Sequence, residues 1–293
     1  MAHQLEFFKP NGEEDISRGY FWLDERYGVE KKVITRENMN LRRIDDEEDE
    51  EEEGYKRYET PKVKIALFTS GKSTHEYFFS RGFTQETVKK FMIGWDSELL
   101  RVTMPIFWRD GMMFGLIGRA ILNPKLDNGE PNPDYTKLYS GKNYARYFIY
   151  DSAPIGEVMY PLNHFELIDD TAVLVEGQMD AIWQHQLKHP NVLSCINSKL
   201  SFDKKTKQSF QKDILLELGV KKVVLMMDDD EAGRDGCKHN YELLKDDFVV
   251  YGVTYPKGKT DPQMLTKAEY EYMLAHKYLY GKNGKVKKLR RLR

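Results

Sequence analysis

Carboxylates follow two short apolar runs in the carboxy-terminal half of the chain. Ala172–Val175 precedes Glu176, and Val223–Met227 precedes Asp228 and Asp230. Both runs are rich in Val and Leu and lead into a helical pattern, which is typical of buried parallel strands. Because ligands bind beyond the carboxyl ends of such strands, we expect these side chains to converge on one crevice.

The chemistry that such a crevice favours depends on a metal ion. Several carboxylates in one cleft repel each other and stay ionised only beside a cation. Oxygen ligands without His or Cys favour Mg²⁺ or Mn²⁺, and such sites serve phosphoryl or nucleotidyl transfer. Glu176 could bind the ion or act as a general base. The alternative for Asp228 and Asp230 is a solvated helix N-terminus, where the helix dipole stabilises carboxylates.

The elements that position these acids alternate between strand and helix. Further strands are predicted at Asn191–Ile196 and Phe248–Thr254, and helices at Gln178–Lys188, Phe202–Leu218 and Glu231–Lys245. This order predicts an α/β fold with a parallel sheet flanked by helices.

A different pattern precedes this sheet. Arg101–Trp108 and Met112–Leu122 alternate like two antiparallel strands around a turn signal, Arg109-Asp110-Gly111. Residues 123–135 are rich in Pro and Gly and are predicted to be an exposed loop. A smaller α+β subdomain is therefore expected.

Cations in this part of the chain have two possible roles, which the residues alone leave open. They are either ordinary surface cations or a basic floor for template phosphates and an incoming triphosphate. The candidates are Arg101, Arg119, Lys137 and Lys142.

Several motifs together resemble the DnaG-type primases. E-G-x-x-D at Glu176 and D-x-D-x-A-G at Asp228 are similar to the Toprim domain, as is K-G-K-T-D-P, which carries Asp261. Upstream, Y-x-x-x-R-G-F, R-V-T-M-P-I-F, G-L-I-G-R-A and Y-T-K-L-Y-S resemble successive motifs of the primase amino-terminal catalytic subdomain. The resemblance spans residues 73–267 and keeps the family's order of motifs.

The resemblance implies a DNA primase, which would make short RNA primers on single-stranded DNA from ribonucleoside triphosphates. It implies two Mg²⁺ or Mn²⁺ ions, with Glu176, Asp228 and Asp230 as catalytic residues. The metal ligands implied are Glu176, Asp180, Asp228, Asp230 and Asp261. It favours the template and nucleotide role for Arg101, Arg119 and Lys137. Between Cys195 and Phe202 the family pattern has Gly-Thr, but this chain has N-S-K-L-S, and Lys199 is a further candidate for phosphate contact there. Asp229 stands where most relatives have Gly.

The remaining features set the expected domains, partners and location. The expected domains are an amino-terminal extension with the acidic linker Asp45–Glu53 (1–60), the primase subdomain (61–168), the Toprim domain (169–267) and a basic tail (268–293). With two cysteines and no His cluster, no zinc ribbon is expected, so an initiation factor or a replicative helicase is a candidate partner. With no signal peptide or long apolar run, we expect a cytoplasmic protein without a membrane partner, and by analogy one encoded by a phage. The rival functions are a Toprim nuclease and a non-catalytic nucleic-acid-binding subunit.

Overall fold

A computed structural model describes residues 4–5, 65–67, 76–96, 99–126, 128–139, 145–150 and 153–281. The acidic linker Asp45–Glu53, Lys142 and the tail beyond Gly281 lie outside the described residues. Within them no helix is long and apolar enough to cross a membrane. The described residues form two β-sheets, each with helices packed against it.

The amino-terminal sheet is antiparallel, and its six strands lie in chain order. The strands are β1 (Gln4–Leu5), β2 (Ile65–Leu67), β3 (Gly94–Asp96), β4 (Arg101–Phe107), β5 (Met113–Ala120) and β6 (Tyr147–Ile149). The predicted β4–β5 hairpin is confirmed, and Gly111 adopts a φ of +84° in its turn. Its helices are α1 (Glu76–Ser80), α2 (Gln85–Lys90) and α3 (Pro133–Leu138).

Helix α3 corrects the prediction that residues 123–135 are an exposed loop throughout. Asn132 Oδ1 accepts hydrogen bonds from the backbone N–H of Asp134 (3.1 Å) and Tyr135 (3.3 Å), which starts the helix. Pro133 occupies the first helical turn, where its missing N–H costs nothing. Tyr135 is fully buried, so packing of this ring draws the end of the loop into the core.

The second sheet contains the predicted parallel strands. They are β7 (Thr171–Val175), β8 (Val192–Ser194), β9 (Lys222–Leu225) and β10 (Val249–Gly252), joined by an antiparallel edge strand, β11 (Tyr278–Leu279). The strand order is β11-β10-β9-β7-β8. The helices are α4 (Gln178–Gln186), α5 (Phe210–Glu217), α6 (Glu231–Leu244) and α7 (Lys267–Ala275). The predicted α/β fold is confirmed.

The start of α5 differs from the sequence prediction. The helix predicted from Phe202 begins at Phe210, because the Ser209 hydroxyl accepts a hydrogen bond from Lys212 N and caps the helix there. Before it, Asp203 and Gln208 form an isolated antiparallel bridge. The segment from 203 to 208 is therefore a compact turn rather than helix.

One hydrophobic cluster joins the two sheets. It contains Phe78 and Ile106 from the amino-terminal part and Val173 and Ile182 from the second sheet and α4. At the boundary a Cβ on Gly82 would lie 3.2 Å from the Trp183 ring, so the chain passes close to α4 there. The turn between α1 and α2 therefore packs directly against the helix that follows Glu176.

Candidate metal centre

Glu176 lies at the carboxyl end of β7, beside the end of β9. The two strands pair in parallel with Leu174 opposite Leu225, which brings both chain ends to the same edge of the sheet. Glu176 Oε1 accepts a hydrogen bond from the backbone N–H of Asp228, at 3.2 Å. Burial raises the pKa of the Glu176 carboxyl, and the charge of Asp230 raises it further. The predicted convergence of the two acidic turns is therefore present in the structure.

Burial and neighbouring carboxylates strongly perturb the Asp228 carboxyl. Burial, followed by the charges of Asp180, Glu176, Asp261 and Asp230, raises the pKa of Asp228 to about 8. Its buried Oδ1 atom meets no hydrogen-bond donor in the described part of the chain. A buried carboxylate oxygen without a partner costs free energy unless a cation or donor compensates it.

Asp180 lies one helical turn after Glu176, at the start of α4. Its Oδ2 atom accepts a hydrogen bond from Gly177 N at 3.2 Å. Burial raises the pKa of Asp180 to about 7, with contributions from the charges of Asp261 and Glu176, while Arg81 acts in the opposite direction. The structure thus brings Asp180 and Asp261 into the same acidic group.

Asp230 and Asp261 each cap a helix. Asp230 Oδ1 accepts from Gly233 N (2.8 Å) at the start of α6, and Asp261 Oδ1 accepts from Met264 N (3.0 Å) in a short 3₁₀ helix. Asp230 therefore also fits the alternative prediction, a carboxylate at a helix N-terminus. Asp229 instead pairs with Arg234 at 3.1 Å.

The acidic group suits a hard divalent cation by its chemistry, although its side chains are not yet arranged around one point. No three carboxylate, His or Cys side chains among the described residues are placed to hold an ion as they stand. The Asp180, Asp230 and Asp261 carboxylates each accept a hydrogen bond from a backbone N–H. The oxygen-only donors, the raised pKa values and the partnerless Asp228 oxygen fit Mg²⁺ or Mn²⁺.

Gly233 allows the start of α6 to approach the two acidic turns. A Cβ at this position would lie 2.0 Å from the backbone oxygen of Asp228 and 2.8 Å from Glu176 Oε1. Only glycine fits at such a distance, because real Cβ contacts under 3.0 Å essentially never occur. The geometry of the centre therefore depends on a residue that cannot itself bind metal.

Side-chain hydrogen bonds that sequence reasoning missed hold the Asp261 turn against α4. The buried Gln184 side chain donates to Pro262 O at 2.7 Å, and Trp183 Nε1 donates to Leu265 O at 2.9 Å. Arg81 donates to the Gln263 side chain, which links α1 to the same turn. Polar residues on a helix usually face solvent, so no sequence pattern identifies Gln184 or Arg81 as a contact of the Asp261 turn.

The two arginines predicted to contact template or nucleotide are buried. Arg101 is 0% exposed and donates to Ala145 O (2.8 Å) and Arg146 O (3.1 Å), with its guanidinium 5.0 Å from the centre of the Tyr139 ring. Arg119 is 2% exposed and lies 5.0 Å from the centre of the Tyr77 ring. Burial lowers the pKa of Arg119, and Tyr147 opposes this effect.

The predicted lysines differ from these arginines because they are exposed to solvent. Lys137, in the last turn of α3, and Lys199, in the loop after β8, are both exposed, and Lys142 lies outside the described residues. Exposed amino groups are accessible to phosphate, whereas Arg101 and Arg119 are enclosed by aromatic rings and backbone. The template and nucleotide roles remain predictions.

Comparison with known families and structures shows which fold the chain has. Residues 173–266 match the family model described as Toprim-like. The crystal structure of the Aquifex aeolicus primase (zinc binding and RNA polymerase domains) has a TM-score of 0.54 at 22% identity, covering 69% of this chain and 55% of that one. The fold is that of a DnaG-type primase catalytic core with a Toprim-like domain, and the resemblance found in the sequence is confirmed at this level.

Two further proteins are similar. A DNA primase from Clostridium acetobutylicum is 24% identical over 275 residues, a match that covers 76% of this chain and 42% of that protein. The RNA polymerase domain of the Mycobacterium tuberculosis primase DnaG has a TM-score of 0.52 at 16% identity, covering 69% of this chain and 75% of that one. This chain spans less than half the length of the curated relative.

Proposed function

We propose that this protein is a DNA primase, which polymerises ribonucleotides into short RNA primers on a single-stranded DNA template. The observation that carries the proposal is the meeting of Glu176 and Asp228 at one sheet edge, with a buried Asp228 oxygen that has no donor. The similarity to primase cores favours nucleotidyl transfer over other metal-dependent chemistry. Ribonucleoside triphosphates are the proposed substrates.

In this proposal Glu176, Asp180, Asp228, Asp230 and Asp261 would hold Mg²⁺ or Mn²⁺. Two such ions, when bound, would supply charge neutralisation on the triphosphate and activation of the attacking 3′-hydroxyl. Glu176 would bind the ion or take the proton of that hydroxyl; the hydrogen bond from Asp228 N to its carboxylate supports a shared role for the two residues. Gly233 and the Gln184 hydrogen bond hold the acidic turns in position.

A similar protein binds DNA, which supports a nucleic-acid partner in general. The Mycobacterium tuberculosis RNA polymerase domain has been crystallised in complex with double-stranded DNA, in a structure with a TM-score of 0.52 to this chain. For this chain we propose a single-stranded DNA template, with a helicase or an initiation factor as further partner, in the cytoplasm.

The test is primer synthesis by the wild type and by Glu176→Gln on single-stranded DNA with ribonucleotides and Mg²⁺ or Mn²⁺. Loss of the carboxylate should lower the rate at least about 100-fold, because charge stabilisation of this kind contributes several kcal/mol. Asp229→Asn is the matched control, since Asp229 lies in the same turn but pairs with Arg234. Equal rates for wild type and Glu176→Gln would refute the proposed centre.

A Toprim nuclease is the second candidate, and one observation favours it. The burial of Arg101 and Arg119 removes two of the cations predicted to form a triphosphate floor, and a nuclease has no need of that floor. The same assay separates the candidates, because a primase yields short RNA and a nuclease yields shortened DNA. DNA binding without either product would indicate a non-catalytic subunit.

A further inference from the structure

The loop between β8 and α5 contains a compact turn with three exposed lysines. We call residues 203–208 the lysine turn; its lysines are Lys204, Lys205 and Lys207. Asp203 N donates to Gln208 O at 2.9 Å, and Asp203 Oδ1 accepts from Lys205 N at 2.7 Å. The turn therefore has a defined backbone shape that directs several amino groups into solvent.

The loop that carries the lysine turn is fixed to the body of the protein. Leu200 N donates to the buried Asn240 side chain of α6 at 2.8 Å, and Ser201 N donates to Gln211 Oε1 at 2.8 Å. The Gln211 amide also donates to Cys195 O at 3.0 Å, directly after β8. Because the loop leaves the carboxyl end of β8 and enters the start of α5, it lies on the same rim of the sheet as the acidic turns.

The lysines of the turn carry unneutralised charge. None of the three forms an ion pair with another described residue, whereas nearby Lys212 pairs with Asp247 (3.0 Å) and Lys238 with Asp235 (2.9 Å). A cluster of unpaired cations attracts polyanions, because their binding releases condensed counterions.

Exposed aromatic rings flank the turn on both sides. Phe202 is 43% exposed and Phe210 is 38% exposed. Cations beside exposed aromatic side chains are the combination that binds single-stranded nucleic acids, in which phosphates meet the charges and bases stack on the rings. An acidic peptide would use the cations but has no need of the rings.

We propose that the lysine turn, with Phe202 and Phe210, binds the sugar-phosphate backbone and bases of a single-stranded nucleic acid, outside the acidic group of Glu176 and Asp228. The site extends the contact surface along the sheet rim, away from the metal ligands. It rests on the proposed function only in that the chain meets a nucleic acid.

The test replaces Lys204, Lys205 and Lys207 together with Gln in the full chain and measures binding to fluorescent single-stranded DNA at several salt concentrations. The slope of log affinity against log salt is negative, and each lost phosphate contact makes it less steep by about 0.7. Three lost contacts should therefore make it less steep by about 2. Replacing Phe202 and Phe210 with Ala should lower affinity at least about fivefold without changing the slope.

The matched control replaces Lys188, Lys221 and Lys222 with Gln, which removes the same charge. Lys188 follows α4, and Lys221 and Lys222 lie at the start of β9. All three therefore lie at the amino ends of the parallel strands, opposite the rim that carries the lysine turn. This control should keep nearly the wild-type slope. Equal slopes for the lysine-turn variant and the control would overturn the proposal, and so would binding of an acidic protein alone.

The outcome is independent of catalysis. Glu176→Gln should retain the wild-type salt slope, because Glu176 is an acid outside the lysine turn. A protein that makes no primers, but whose salt slope falls in the lysine-turn variant, would refute the proposed function and leave this site standing. Primer synthesis together with an unchanged salt slope in the lysine-turn variant would support the proposed function and refute this site.

Discussion

Substituting Gly233 with Ala is the sharpest test of how the acidic centre is positioned. The added Cβ would lie 2.0 Å from the backbone oxygen of Asp228 and 2.8 Å from Glu176 Oε1. Ordinary van der Waals contact begins at 3.4 Å, so α6 and the Asp228 turn must separate by roughly 1.4 Å. Backbone cannot rotate away as a flexible side chain does, and therefore the turn itself must move.

The magnitude follows from this displacement. Overpacking of a tight site costs about 1–3 kcal/mol of folding free energy. The kinetic effect should be larger, because a misplacement of about 1 Å in a catalytic group lowers a rate about 100-fold. We therefore expect Gly233→Ala to remain folded but to lose about 100-fold in primer synthesis.

The assay measures primer synthesis per folded molecule, with stability from urea unfolding. Gly111→Ala is the control: nothing lies within 4 Å of its Cβ, but a φ of +84° strains any side chain there. It should cost about 1 kcal/mol of stability and leave the rate unchanged. If Gly233→Ala worked at the wild-type rate, the close approach of α6 would have no bearing on the reaction.

Two other predictions concern the charged residues. Since burial and neighbouring carboxylates raise the pKa of Asp228 to about 8 and of Asp180 to about 7, ion binding must expel protons. The apparent Mg²⁺ affinity should then rise about tenfold per pH unit for each proton expelled between pH 6 and pH 8, and calorimetry that shows a flat profile would contradict this. Arg101→Lys should lose about 2–4 kcal/mol in urea unfolding, because Lys cannot replace the paired donors of a buried guanidinium. Normal stability with weakened DNA binding would instead support the template role predicted for Arg101.

The strands that carry the acids could be predicted because their signal is local. Ala172–Val175 and Val223–Met227 are runs of four and five buried residues. β7 ends one residue before Glu176, and β9 ends three residues before Asp228. The parallel order then brings both ends to one edge. Asp261 is predicted as a site residue only from the family resemblance, because no apolar strand pattern leads into its turn.

The lysine turn could not be predicted because two local hydrogen bonds override a helical pattern. Asp203 accepts from Lys205 N, and the Ser209 hydroxyl accepts from Lys212 N, so each side chain replaces a helical partner of the backbone. Asp and Ser favour caps and turns for this reason.

The burial of the two strand arginines also depends on distant parts of the chain. Tyr139 and the carbonyl of Ala145 enclose Arg101, and Tyr77 covers Arg119. A cation at a strand position resembles a solvent-facing residue until such neighbours are known. Only the tertiary structure shows that these guanidinium groups link the elements of the amino-terminal sheet.

The capping hydrogen bonds of Asp180, Asp230 and Asp261 have a consequence for assembly. Each carboxylate already satisfies an amide at the start of a helix, so α4, α6 and the 3₁₀ turn can form before any ion arrives. If the proposed ions bind, they exchange with these amide contacts on a scaffold that is already folded, unlike the zinc modules whose chains fold only around their metal. Removal of the ions by chelation should then abolish activity without unfolding the protein.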